Sequence, residues 1–159
     1  CGSGALHGAE YDGRQYLLPE DWDDDDPRAL EDEAMCVQET LEQIESKKPL
    51  VTLAFLDCCR EHASVRRTAF GKDLSTLKGP AGSLVMYATG QGKLASDGSE
   101  RNGPFTAALL KQLRTPGLAL EQLAANVRND VKEMTGGRQK PQCHVDLDVV
   151  GLCLVPPAD

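Results

Sequence analysis

The sequence predicts an α/β layer fold with a mostly parallel sheet. Three observations carry this. Leu50–Leu56 and Ser83–Thr89 are almost continuously apolar, as strands covered on both faces by helices must be. Around them, apolar residues recur at three- and four-residue steps, the helical spacing. The chain has 159 residues, which suits one domain with one buried core.

Taken in order, Tyr16-Leu17-Leu18-Pro19 follows the turn residues Asp12-Gly13 and reads as a strand entering a loop. Asp21-Trp22-Asp23-Asp24-Asp25-Asp26-Pro27 is an acidic loop, kept extended and solvated by self-repulsion. A helix is predicted over 28–46, with Leu30, Ala34, Val37, Leu41 and Ile44 on one face. Lys47 and Lys48 lie near its C-terminus, where cations suit the dipole, and Pro49 stops it. The strand 50–56 follows. Residues 61–80 are polar and poorly periodic, and read as a loop with one short helical turn. The strand 83–89 ends at Gly90-Gln91-Gly92, and 93–103 form another loop. Pro104 suits the first position of a helix whose apolar face is Phe105, Ala108, Leu109 and Leu113. A last helix is expected over 119–134, with Leu120, Leu123, Ala124, Val127, Val131 and Met134 in one stripe and Gly136-Gly137 as its cap. Val145 to Leu154 is strand-like. There is no internal repeat.

Composition excludes several functions. The formal net charge is −8, which disfavours nucleic acid and anionic membranes, since neither association gains from charge. No apolar run approaches the roughly 20 residues of a membrane span. The start, Cys1-Gly2-Ser3-Gly4, has no initiator Met or signal-peptide character and is expected to be the interior of a longer protein. The six cysteines are irregularly spaced, without a CxxC, and a disulfide scaffold is not expected in a chain with a real core. A reducing, cytoplasmic location follows. Cys36, Cys143 and Cys153 read as small buried hydrophobes.

Two short stretches carry chemistry: His7-Gly8, and Asp57-Cys58-Cys59-Arg60 just beyond the strand 50–56. Functional groups of open α/β sheets gather beyond the carboxyl ends of strands. A histidine and a cysteine brought together there are a candidate base and nucleophile. Gly8 has no side chain to block a substrate carbonyl, so its N–H and that of the cysteine can form an oxyanion hole. His62 and His144 have no motif around them and read as surface or structural residues.

His7-Gly8, Gly13, Tyr16-Leu17, Pro19 and Asp21 together resemble a conserved-order segment of the caspase-like cysteine peptidases (clan CD, family C14). Leu53-Ala54-Phe55-Leu56-Asp57-Cys58-Cys59-Arg60 resembles that group's hydrophobic strand ending in D-x-C-R. Met35-Cys36-Val37-Gln38-Glu39-Thr40-Leu41 and Leu84-Val85-Met86-Tyr87-Ala88-Thr89-Gly90-Gln91-Gly92 resemble its paracaspase and metacaspase branch, and Gly103-Pro104-Phe105-Thr106 resembles a G-x-F-T helix start. The resemblance implies a three-layer α/β/α sandwich. It makes residues 1–159 one peptidase domain, an N-terminally truncated fragment with the first strand and helix missing. It also assigns roles. Cys59, two residues after Asp57, is the nucleophile, with Cys58 at the variable position. His7 is its base, and Gly8 and Cys59 supply the oxyanion hole. Asp57 stands where caspases proper carry Gln, so a pocket for Arg or Lys is expected. Arg is favoured because its fork pairs bidentately with a carboxylate. Asp97 takes the place of a second pocket acid. The third would lie upstream of Cys1.

The expected activity is therefore endopeptidase cleavage of protein and peptide substrates after a basic residue, through an acyl-enzyme. Arg66, Arg67 and Lys72 then offer sites of self-cleavage. No cofactor or bound metal is expected. The resemblance to metacaspases implies that calcium dependence is open, and the carboxylates of the acidic run 21–26 are the ligand type that ion takes, but the run has no EF-hand loop and reads as a solvated charge run. The resemblance leaves a homodimer open. The rival reading is an inactive caspase-like module serving as a scaffold.

Overall fold

The computed structural model describes residues 7–11, 14–19, 32–58, 61–62, 79–90 and 102–158. It opens on a hairpin. Strands β1 (His7–Tyr11) and β2 (Arg14–Leu18) pair antiparallel from His7 opposite Leu18 to Tyr11 opposite Arg14. Asp12-Gly13, between the two strands in sequence, lie outside the described residues. Next comes β3 (Met35–Cys36), which pairs antiparallel with β2. It leads directly into α1 (Val37–Glu45).

The single helix expected over 28–46 is thus interrupted. Residues 32–33 are helical, Cys36 is extended at φ −74° and ψ 117°, and α1 starts only at Val37. The physical reason is competition from β2. The Gln15 backbone N–H donates to the Gln38 side chain at 3.0 Å, and Cys36 sits opposite Tyr16. At its other end α1 stops before the lysines. Ser46 is its C-cap, and Lys48 lies beyond it in the left-handed region, φ 53°.

Three five-residue strands form the second sheet: β4 (Thr52–Leu56), β6 (Ser83–Tyr87) and β7 (Gln142–Asp146), in the order β4-β6-β7. Between β4 and β6 in sequence lies β5 (Glu61–His62), which joins the first sheet, of order β3-β2-β1-β5. The α/β class holds, and the strand pairing within it is mixed where mostly parallel pairing was expected. β4 runs parallel to β6, β1 runs parallel to β5, and β7 is antiparallel to β6.

β6 is buried at every position, and its alternating side chains explain the layers. Leu84 and Met86, continued by Ala88, pack on α2 (Pro104–Leu113) and α3 (Leu120–Met134) through Phe105, Ala108, Leu109, Leu120, Leu123 and Val127. Val85 and Tyr87 face the other way, onto Val37 and Leu41 of α1, with Leu17, Ala54 and Leu56 alongside. Helices therefore cover both faces of the sheet, giving an α/β/α sandwich. Pro104 occupies the first turn of α2, as its missing N–H favours.

The stripe of α3 is buried as expected except at Met134, which is 57% exposed at the helix end. Gly136 and Gly137 then take φ of 59° and 80°. Their N–H groups donate to Glu133 and Lys132 carbonyls at 3.1 and 2.7 Å, closing a Schellman cap. The strand-like tail 145–154 resolves differently. β7 occupies 142–146, Gly151 turns the chain at φ 76°, and only a single bridge, Cys153 to Ala119, follows. The apolar residues that suggested a strand there are partly solvent-facing, with Val150 91% exposed.

Candidate active site

The parallel pair β4–β6 ends with Leu56 opposite Tyr87, and the Ala88 N–H donates to the Leu56 carbonyl at 2.9 Å. Both strands therefore deliver their next residues to one edge. From β4 these are Asp57, which is exposed, and Cys58, which is 3% exposed. From β6 they are Ala88 and Thr89, both buried, and Gly90.

Two residues from elsewhere hold this edge. Gln139, just past α3, is 2% exposed and its side-chain amide donates to the Ala88 carbonyl at 2.9 Å. It is itself fixed, because its N–H donates to the Thr135 hydroxyl at 3.0 Å. From the first turn of α2, the Thr106 hydroxyl donates a short hydrogen bond to Asp57 Oδ2. Neither Gln139 nor Thr106 had a role in the sequence reading. Gly103-Pro104-Phe105-Thr106 signals a helix start, but nothing in the order of residues says that Thr106 meets a strand end 49 residues away.

The predicted site residues divide as follows. His7 is the first residue of β1 and Gly8 the second, opposite Leu18 and Leu17. Asp57 stands one residue beyond β4. Cys59 and Asp97 lie outside the described residues, as do Arg66, Arg67, Lys72 and the acidic run 21–26. β1 and β5 are linked by two parallel pairs, Ala9 opposite Glu61 and Glu10 opposite His62. His7 precedes the first of these by two residues on one strand. In sequence, Cys59 stands two residues before Glu61.

The other described cysteines are wholly or partly buried. Cys36 and Cys58 are buried, and Cys143 is half-buried opposite Met86. Burial pushes the Cys143 thiol up, against the opposing pull of Arg128, which makes it a weak nucleophile near neutral pH. His62 belongs to β5, and His144 to β7 opposite Val85. Among the described residues, no group of three or more His, Cys, Asp or Glu is gathered as a metal ion would need. Among them, too, no helix is long and apolar enough to cross a membrane.

A family model described as the caspase domain, of the C14 peptidases, matches residues 5–149. The chain belongs to the caspase-domain family. Its family is one of cysteine peptidases that act on proteins, and its α/β/α layering is the fold such a domain carries. Among solved structures, caspase-1 from Spodoptera frugiperda is similar at 18% identity and a TM-score of 0.45. The match covers 65% of this chain and 45% of that one, so the caspase domain here spans less than half of that chain's length. No curated protein is significantly similar in sequence.

Proposed function

We propose that this caspase-family chain is a cysteine endopeptidase that cuts after Arg or Lys, with Cys59 as nucleophile and His7 as its base. The observation that carries the reading is the match of the caspase-domain family model over residues 5–149, a span that holds both His7 and Cys59. His7 opens β1, and β1 runs parallel to β5, the strand that begins two residues after Cys59 in sequence.

The chemistry then proceeds in balanced steps. His7 takes the Cys59 thiol proton. The thiolate sulfur attacks the scissile carbonyl carbon, and the N–H groups of Gly8 and Cys59 receive the oxyanion. Collapse breaks the C–N bond, and His7 returns its proton to the leaving amine. A thioester remains on Cys59. Water attacks it, His7 accepts the water proton, and the new carboxyl product leaves as the thiol re-forms.

Substrate choice is assigned to Asp57, with Asp97 as the second acid. Asp57 is exposed and its described hydrogen bond comes from a neutral hydroxyl, so its charge is left for a cationic side chain. Like-charge repulsion then excludes Asp at the same place.

Fluorogenic peptides ending in Arg, Lys or Asp test this. Cleavage after Arg and Lys but not Asp, abolished in Cys59→Ala, is the expected result. Failure to cleave any of them, with retained binding to a protein partner, points to the scaffold reading instead.

A further inference from the structure

We propose that Thr106 is a positioning residue for substrate choice: its hydroxyl fixes one oxygen of Asp57 so that the carboxylate is oriented for the planar fork of an arginine. The inference deepens, and rests on, the reading of Asp57 as the pocket acid.

Threonines inside helices commonly turn their hydroxyl back onto the carbonyl four residues earlier. Among the described residues, Thr40 in α1 donates to the Cys36 carbonyl at 2.9 Å, and Thr135, the C-cap of α3, donates to the Val131 carbonyl at 2.8 Å. Asn102, four residues before Thr106, lies outside α2, so Thr106 has no helical carbonyl there to bond. Its bond leaves α2 and reaches across to the end of β4.

Both ends of that bond are rigidly held. Phe105 and Ala108, on either side of Thr106 in α2, are buried at 1% and 2% exposure against the sheet. β4 is fixed by its parallel ladder with β6, and Cys58, immediately after Asp57, is buried in the core. Thr is also stiff at χ1. Gly103, at the N-cap of α2, supplies no side-chain cap bond, so Thr106 is the residue of that turn that carries a polar side chain to the site edge.

An untethered aspartate at an exposed strand end samples several rotamers and loses that freedom when it binds a ligand. A tethered one has less to lose. The benefit is unequal between ligands. A guanidinium needs a carboxylate presented edge-on to both its N–H groups, whereas an ammonium is a point charge that accepts many orientations. Thr106 therefore sharpens preference for Arg over Lys, beyond the general attraction to cations.

The test is a steady-state comparison of wild type, Thr106→Val, Thr106→Ser, Asp57→Asn and the double variant Asp57→Asn/Thr106→Val, using Arg and Lys peptides. Thr106→Val is expected to lower kcat/KM for the Arg peptide about tenfold, mainly through KM, and for the Lys peptide only about twofold. Thr106→Ser restores the Arg value to within about threefold, and in the Asp57→Asn background Thr106→Val adds less than about twofold. Equal losses on both peptides, or an undiminished effect in the Asp57→Asn background, overturn the proposal. If Thr106→Val does not fold, the Ser variant decides by the same Arg-to-Lys ratio: a ratio between those of wild type and Asp57→Asn supports the tether, and one equal to Asp57→Asn overturns it. If Asp57→Asn itself leaves the Arg preference intact, the pocket reading falls. If that variant loses the preference while Thr106→Val changes nothing, the tether alone falls.

Discussion

Asp57 and Cys58 are adjacent, yet one is exposed and the other buried, and this contrast decides what each can do. A thiol sealed in the core is a packing group. A carboxylate at the exposed end of a half-buried strand can meet a ligand. The motif made Asp57 legible in the sequence, because the residue types and their order are local. Its partner was not legible, because Thr106 reaches it only through the tertiary fold. The same holds for Asp130 on α3. Burial opposes its charge, but hydrogen bonds from Gln112 at 2.7 Å and Lys111 at 3.0 Å, with the Lys111 charge, hold its carboxyl below its ordinary value. A folded-state value below the unfolded one means the stabilisation is present above the carboxylate range and is lost as pH falls through it. Wild type is therefore expected to exceed Asp130→Asn in stability at pH 6 by under about 1 kcal/mol, since Lys111 is largely exposed. The gap closes below about pH 4. Melting curves of both proteins across this range check it, and a gap independent of pH contradicts the assignment.

Elements were legible where one face or both faces are buried over a full span. β4, β6, α2 and α3 announce themselves through long apolar patterns, and the structure places each within a few residues of its expected position. The first sheet did not announce itself. β3 and β5 have two residues each, too few to show a period, and they exist because β2 and β1 offer edges to pair with. The start of α1 was misjudged for a related reason: Leu30 and Ala34 continue the helical spacing, but pairing with β2 draws Met35 and Cys36 out of it. The far end of α1 carries a strained residue. Lys48 adopts φ 53°, a region that costs a residue with a Cβ about 1 kcal/mol or more. Lys48→Gly relieves that strain but raises the entropy of the unfolded chain. A net stabilisation of about 0.5 kcal/mol is expected from urea unfolding; destabilisation would show that the lysine side chain contributes more than the strain removes.

At the scale of the whole molecule, one sheet with α1 on one face and α2 and α3 on the other directs the parallel strands β4 and β6 to a common edge, and the four-stranded sheet carries His7 and the strand that follows Cys59 in sequence. The chain as a whole carries a formal net charge of −8, which disfavours association with polyanions. The layering was legible from alternation alone. The pairing of β5 with β1 was not, because a strand of two residues, Glu61 and His62, shows no period in the sequence. The most direct measurement is covalent trapping with a peptidyl-arginine chloromethyl ketone, followed by peptide mapping. The sulfur of Cys59 is expected to displace chloride and form a single thioether, quickly in wild type and at least about a hundredfold more slowly in His7→Ala, as loss of a positioned base implies. Labelling spread over Cys58, Cys143 and Cys153, or a rate at Cys59 that ignores His7, would contradict the account.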